Sequence, residues 1–457
     1  MEVRNGKEAI QRDSFMKILR AEEKEFERYL SEVEGRADRD SLRIEKEVRP
    51  ILADVRKRGD EALLHYSWAF DGVRIPIRRL QVKKSEVKEA YGKIPRDFLG
   101  TLKKAARRIR RFHQFQARRL TLSVRGAGTE IHLEQRRRPL ERVGIYVPGG
   151  KASYPSTVLM AAIPAKVAGV QEILMVTPPQ KKGLSPAVLV AADLAGVDRI
   201  YRIGGVQAVA ALAYGTESVP RVDKIVGPGN RYVAAAKTLV YGEVDIDMVA
   251  GPSEVVIVSD EGTPPSFAAA DLIAQAEHDE MALAVLITPS EAFGWDVKKE
   301  LERQLFSLKR KKVASESLKR RGAILIVRNL AEAIQLVNRI APEHLELLVP
   351  RPLSLMKDVR HAGAVFLGSH TPEAIGDYMA GPNHILPTMG TARFFSPLGV
   401  EDFIKRTNLI RFTRKALRRF EKDVRRFSEW EGLEGHSQAV QMRTDPKRHG
   451  PHGKERR

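Results

Sequence analysis

From Val143 onward, short runs of Val, Ile and Leu alternate with alanine-rich stretches, and this rhythm restricts the fold more than any other feature of the chain. Strands are expected at Val143–Val147, Ile173–Thr177, Arg199–Ile203, Lys224–Val226 and Val255–Ser259. Helices are expected between them at Ser156–Ala168, Pro186–Ala195, Gln207–Tyr214 and Tyr232–Tyr241. Parallel neighbours need a crossover, usually a helix, so this alternation implies a parallel sheet covered on both faces.

A second alternating region follows. It comprises a helix over Ser266–Asp279, a strand at Ala284–Thr288, a helix after Pro289 and a strand at Ala323–Val327, then a helix at Leu330–Ile340 and a strand at Ala364–Leu367. The first 120 residues read as helices with polar outer faces, and the chain past Pro397 turns helical again. A length of 457 residues exceeds one ordinary core. The expectation is an α/β protein with two Rossmann-like parallel-sheet domains, a helical N-terminal region and a small helical C-terminal domain.

Composition removes several function classes. The absence of cysteine excludes disulfides, thiolate metal ligands, iron–sulfur clusters and a covalent thioester route for oxidising an aldehyde. The net charge of +20 suggests nucleic acid at Arg107–Arg111 and Lys309–Lys312, but 58 acidic residues are interleaved with the basic ones. No nucleic-acid-binding motif accompanies those runs, so they read as solvated helix faces. The apolar stretch Val158–Val170 is short and holds Pro164 and Lys166, unlike a membrane span. The first thirty residues lack an apolar signal core, from which a cytoplasmic location is expected. Residues 444–457 read as a disordered basic tail.

Two kinds of polar constellation carry chemistry. Gln275 and His278 are three apart, so on a helix they share a face and form half of a possible metal site. Glu343-His344, Asp377 with His384, and His436 offer the rest; general metal chemistry ranks Gln275 below His278, Asp377 and His436. Glu343 and His344 side by side at a helix-to-strand junction can serve as two proton-transfer groups, although adjacent side chains often point apart. The other kind is the glycine turn. Pro148-Gly149-Gly150, Gly204-Gly205 before Gln207, and Gly227-Pro228-Gly229-Asn230 follow expected strands, where bare N–H groups at a helix start suit phosphate. Tight-turn geometry alone would explain them equally, and no G-x-G-x-x-G is present.

Seven segments, in order, resemble the histidinol dehydrogenase family. They are Tyr146-Val-Pro-Gly-Gly-Lys with Tyr154-Pro-Ser-Thr, Gly227-Pro-Gly-Asn230, Ala250-Gly-Pro-Ser253-Glu, Gln275-Ala-Glu-His278, Ala341-Pro-Glu-His344-Leu-Glu, Gly376-Asp-Tyr and Asn383-His-Ile-Leu-Pro-Thr. The likeness runs from about Arg43 to Arg443. It implies a zinc-dependent, NAD-linked oxidation of L-histidinol to L-histidine through L-histidinaldehyde, the last step of histidine biosynthesis.

The same resemblance implies one Zn2+ per subunit held by Gln275, His278, Asp377 and His436, which overrules the low ranking of Gln275. His344 would act as base in the first oxidation and Glu343 would activate water in the second. Ser253, His344, His384 and Glu431 would meet the substrate beside the metal ligands, and Tyr146, Gln207 and Asn230 would line the NAD site. The family is a domain-swapped homodimer, so Glu431 and His436 would serve the neighbouring subunit. The implied domains are an arm (1–35), a zinc and catalytic domain (36–142 with 255–396), an NAD-binding domain (143–254) and a C-terminal domain (397–443).

Three rival readings make different predictions. A relative on the same scaffold would oxidise another polar alcohol, such as sulfopropanediol. A zinc hydrolase would use the same His, Asp and Glu set without NAD and leaves the glycine turns unexplained. A nucleic-acid-binding protein would show salt-sensitive affinity and no need for metal.

Overall fold

A computed structural model describes residues 15–36, 41–119, 130–149 and 153–445. Its strands, in chain order, are β1 (Lys17–Arg20), β2 (Ile131–Pro139), β3 (Arg142–Tyr146), β4 (Glu172–Val176), β5 (Arg199–Tyr201), β6 (Lys224–Val226) and β7 (Asp245–Ile246). There follow β8 (Glu254–Ser259), β9 (Leu283–Thr288), β10 (Ala323–Ile326), β11 (His344–Leu348), β12 (Ala364–Leu367) and β13 (Ile404–Phe412). The chain forms two compact units, Met1–Ala117 with Leu140–Phe403, and Arg118–Pro139 with Ile404–Arg457.

The first unit holds the two expected parallel sheets. One has five strands in the order β5-β4-β3-β6-β7, and the other six in the order β1-β10-β9-β8-β11-β12. Every residue of β8, β9 and β11 is buried, as expected of strands covered on both faces. Between β3 and β4, Pro155 occupies the first turn of helix Pro155–Ala168 and Gly169 closes it at φ 93°. Proline and glycine thus sit where a fixed φ and a left-handed residue are needed. No helix among the described residues is long and apolar enough to cross a membrane.

Three expected boundaries change. The N-terminal stretch, read as helical, contains β1, which pairs with β10 some three hundred residues away. Four residues are too few for periodicity to distinguish strand from helix. The chain past Pro397 does not simply return to helix, because β13 pairs antiparallel with β2 over its whole length in the second unit. Both segments carry several arginines and no fully buried residue, β2 being mostly half-buried and β13 mostly exposed, so the ladder rather than a buried face makes them strands. Helices Arg414–Trp430 and Glu434–Thr444 complete that unit, the first capped by Thr413 Oγ1 accepting from Ala416 N at 3.2 Å. The third change concerns the Gln275 helix, which spans Pro265–Ala276 and ends before His278. Of the tail expected over 444–457, Thr444 instead ends helix Glu434–Thr444, and residues from 446 onward, like Gly150, lie outside the described residues.

Candidate active site

The two sheets gather the candidate residues at opposite edges. The glycine turns follow the carboxyl ends of β3, β5 and β6, the usual ligand edge of a parallel sheet. The acidic and histidine residues gather instead at the amino ends of β8 and β11. Residues 247–253 lead from the end of β7 to the start of β8, so these edges are joined by a connection spanning at most about 25 Å.

At the carboxyl edge, Tyr146 is buried and its hydroxyl accepts from Gly205 N at 3.0 Å, at the start of helix Gly205–Tyr214. Burial, followed by the nearby charge of Asp71, pushes this phenol up to about 12 against the Gly205 bond, so it stays protonated. Gln207 is fully buried two residues on, and among the described residues neither its amide oxygen nor its nitrogen has a partner. An orphaned amide in that position is a ready contact for a polar ligand. Asn230 is exposed and caps helix Arg231–Val240, its Oδ1 accepting from Tyr232 N at 3.0 Å and Val233 N at 3.1 Å. Gly227 lies at φ 109°, and a Cβ there would stand 2.2 Å from the carbonyl oxygen of Tyr146.

This glycine turn is pinned from beneath. Lys237, 1% exposed, donates to Gly227 O at 3.0 Å and pairs with Asp247. Asp247 accepts in turn from Gly227 N and Met248 N, both at 2.7 Å. Sequence reading passed over this pair because Lys237 looks like any helix-surface lysine; only the fold turns it inward.

At the amino edge, Glu254 organises the pair Glu343 and His344. Its backbone N–H donates to Glu343 Oε2 at 2.9 Å, and its carbonyl lies 2.9 Å from His344 Nδ1. A carbonyl only accepts, so the imidazole carries its proton on Nδ1 and leaves Nε2 with a free lone pair. His344 Nδ1 also lies 3.8 Å from Glu343 Oε2 and 3.7 Å from Glu373 Oε1. The adjacent side chains therefore share one site. Burial lowers the His344 imidazole to about 4, against the opposing charge of Asp377, and so keeps it neutral and able to take a proton. Burial raises the Glu343 carboxyl well above the usual range, and the charges of Glu254 and Asp377 add to this.

The expected metal ligands are divided between the units. In the first unit, His278 N bonds Gln275 O at 3.2 Å across the turn that ends the helix, so the two residues stay close although His278 is not helical. With its amide assigned by hydrogen bonding, Gln275 donates to both Glu373 oxygens at 2.8 and 2.6 Å, and its oxygen faces Glu254 N at 3.2 Å. Asp377 Oδ1 is 3.6 Å from His384 Nδ1. Burial alone would raise Asp377, but the His384 contact and the fields of His384, His344 and His278 hold it below the usual carboxylate range. Ser253 precedes Glu254 at the same edge. Glu431 and His436 belong to the second unit, where both are exposed.

Glu373 was missed. It stands four residues before Asp377 on helix Glu373–Tyr378, a spacing that could have revealed it. His344, Glu373 and Asp377 bring ligand atoms within 4.8 Å of one another, a grouping that shares only Asp377 with the expected set. Behind it, Glu373 N donates to Glu346 Oε1 at 2.7 Å, and Glu346 hydrogen-bonds Asp271. Burial first, then the charges of Asp377 and Glu343, raise Glu373; burial and then the charge of Asp271 raise Glu346, and burial brings Asp271 to about 6. Oxygen and imidazole donors without a thiolate, set in a concentration of buried carboxylates, fit a divalent cation.

A family model described as histidinol dehydrogenase matches residues 34–444. The histidinol dehydrogenase of Syntrophotalea carbinolica is 52% identical over 428 residues, covering 94% of this chain and 99% of that one. That of Geobacter sulfurreducens is 51% identical over 429 residues, covering 94% and 100%. The crystal structure of histidinol dehydrogenase from Elizabethkingia anophelis superposes with a TM-score of 0.84 at 32% identity, covering 94% of this chain and 98% of that one.

Proposed function

The chain belongs to the histidinol dehydrogenase family, and from that membership we propose that it oxidises L-histidinol through L-histidinaldehyde to L-histidine, with NAD as acceptor, at the end of histidine biosynthesis. The observation that carries this reading is the backbone of Glu254, whose N–H and carbonyl hold a carboxyl and a neutral imidazole side by side where no thiol exists.

In the alcohol oxidation, His344 Nε2 takes the hydroxyl proton, since Nδ1 is engaged with the Glu254 carbonyl. In the aldehyde oxidation, Glu343 takes a proton from the adding water; its raised pKa makes it a stronger base than an ordinary carboxylate. Ser253, His384 and Glu431 fix the substrate. Tyr146, Gln207 and Asn230 line the site of NAD, which supplies the hydride acceptor.

Gln275, His278 and Asp377 would hold one zinc ion with His436 of the partner subunit. Bound there, the metal supplies a Lewis acid that orients the amino alcohol. Glu373 holds the nitrogen of the Gln275 amide, and the oxygen, which faces Glu254 N, has a second lone pair with which to ligate. A homodimer of shared sites suits the second unit, whose Phe427 and Trp430 are 71% and 93% exposed. The enzyme would act in the cytoplasm.

The test is an NAD-linked assay on L-histidinol with metal analysis. Two NADH per histidinol and one zinc per chain are expected. Turnover of a sulfonated diol alone would transfer the activity to the other polar alcohols, and turnover unaffected by removing all metal would refute the zinc assignment.

A further inference from the structure

Both proton-transfer groups hang on the backbone of one residue, Glu254, through its N–H and its carbonyl, so whatever fixes that residue sets their geometry. We propose that Arg36 and Glu254 are positioning residues for Glu343 and His344, a role that rests on the assignment of those two as the proton-transfer groups. The Glu254 side chain is 2% exposed and paired with Arg36 through two contacts, Nε–Oε1 at 2.5 Å and Nη2–Oε2 at 2.9 Å. Arg36 is itself buried, and its remaining bonds go to backbone: Nη1 to Val33 O at 2.6 Å and Nη2 to Ile340 O at 2.9 Å. Glu254 Oε1 accepts a further bond, from Met389 N at 3.1 Å.

The two backbone segments tied in this way are unusual. Ala341 at φ 49° and Met389 at φ 54° are the non-glycine residues of positive φ among those described. Such conformations persist only where the surroundings over-determine them. Ile340 O lies on the peptide leading into Ala341, two residues before Glu343, and Met389 N belongs to the other strained residue. One guanidinium and one carboxylate thus hold the turn that enters β11, the 388–390 turn and the residue whose backbone binds Glu343 and His344. Gly251 N, donating to Thr388 Oγ1 at 2.6 Å, fastens the same turn to the segment ahead of Glu254. A lysine could not replace the fork, because it offers no planar set of donors for two carboxylate oxygens and two carbonyls.

A merely structural ion pair would stabilise the fold without setting the rate. Arg36→Met is expected to lower kcat by about 10- to 100-fold, since misplacement on the order of 1 Å costs about that much. Zinc content and KM for histidinol should change less than about twofold. Arg36→Met/Glu254→Gln, which leaves no lone buried charge, should regain most of the thermal midpoint lost by the single variant while kcat stays low. Recovery of kcat along with the midpoint would overturn the proposal, as would unchanged kcat in folded Arg36→Met. A readout independent of turnover is the His344 Nδ1–H resonance of 15N-histidine-labelled enzyme, assigned by its loss in His344→Asn. It should be present in the parent and lost or broadened in Arg36→Met. If the parent turns over no histidinol, the proposed reaction falls; loss of the resonance would still support positioning, and its persistence would overturn it.

Discussion

Lys237→Met should expose how the fold holds the proposed cofactor turn. Lys237 and Asp247 are both almost fully enclosed, so neither ion is offset by solvent. Removing one partner of a buried pair costs about 3–5 kcal/mol, chiefly through the charge left behind. Asp247 would keep its bonds from Gly227 N and Met248 N, which places Lys237→Met near about 3 kcal/mol. Asp247→Asn strands an ammonium whose remaining described partner is Gly227 O, so about 4 kcal/mol is expected. The double variant buries no charge and loses mainly the bond to the Gly227 carbonyl, at about 1–2 kcal/mol. The single costs should therefore exceed the double cost by about 5 kcal/mol, read as a coupling energy from urea unfolding of the four proteins. NADH affinity should also fall about tenfold in the double variant, which has lost the stake under Gly227; that fall is about 1.4 kcal/mol. Additive costs, or a Lys237→Met cost below about 1 kcal/mol, would refute the claim that this pair is buried and mutually dependent.

Further predictions separate the proposed roles. His344→Asn should abolish most alcohol oxidation, while Glu343→Gln spares it and slows aldehyde oxidation by roughly 100-fold or more, as single-turnover assays on each substrate would reveal; equal loss of both steps in both variants contradicts the division. Glu343 must be ionised to act as a base and its carboxyl is raised, so lowering the pH from 8 to 5 should slow aldehyde oxidation before alcohol oxidation, with His344 neutral throughout. Mixing His436→Ala with His344→Asn subunits should restore partial activity if sites are shared, and proven subunit exchange without rescue counts against sharing. Burial raises half-buried Asp71 to about 6, so the folded state holds a proton that the unfolded chain releases from about pH 4 upward. The stability cost grows through that window and persists above it; Asp71→Asn should gain about 1 kcal/mol at pH 7.5, after discounting for solvent, and nothing at pH 4.

The parallel sheets were legible because their strands are buried on both faces and need continuous apolar runs, as in β8 and β9. Proline and glycine marked the helix ends between them. The strands β1, β2 and β13 were not legible, since their state depends on partners distant in sequence. The site divides in the same way. Gln275, His278, Glu343, His344 and Asp377 announced themselves through residue type, spacing and resemblance. Glu254, Arg36, Glu373 and Lys237 carry no such signal, because charged residues look alike in sequence whether solvated or enclosed.

The sequence by itself determined the α/β architecture, the absence of thiol chemistry and the family, all of which reside in composition and order along the chain. Tertiary structure alone decided which edge of each sheet gathers the candidate residues, which imidazole nitrogen of His344 faces a carbonyl, and which charges are buried in pairs. Those properties arise from distances between residues hundreds of positions apart, such as Arg36 and Glu254, and no local pattern encodes such a distance.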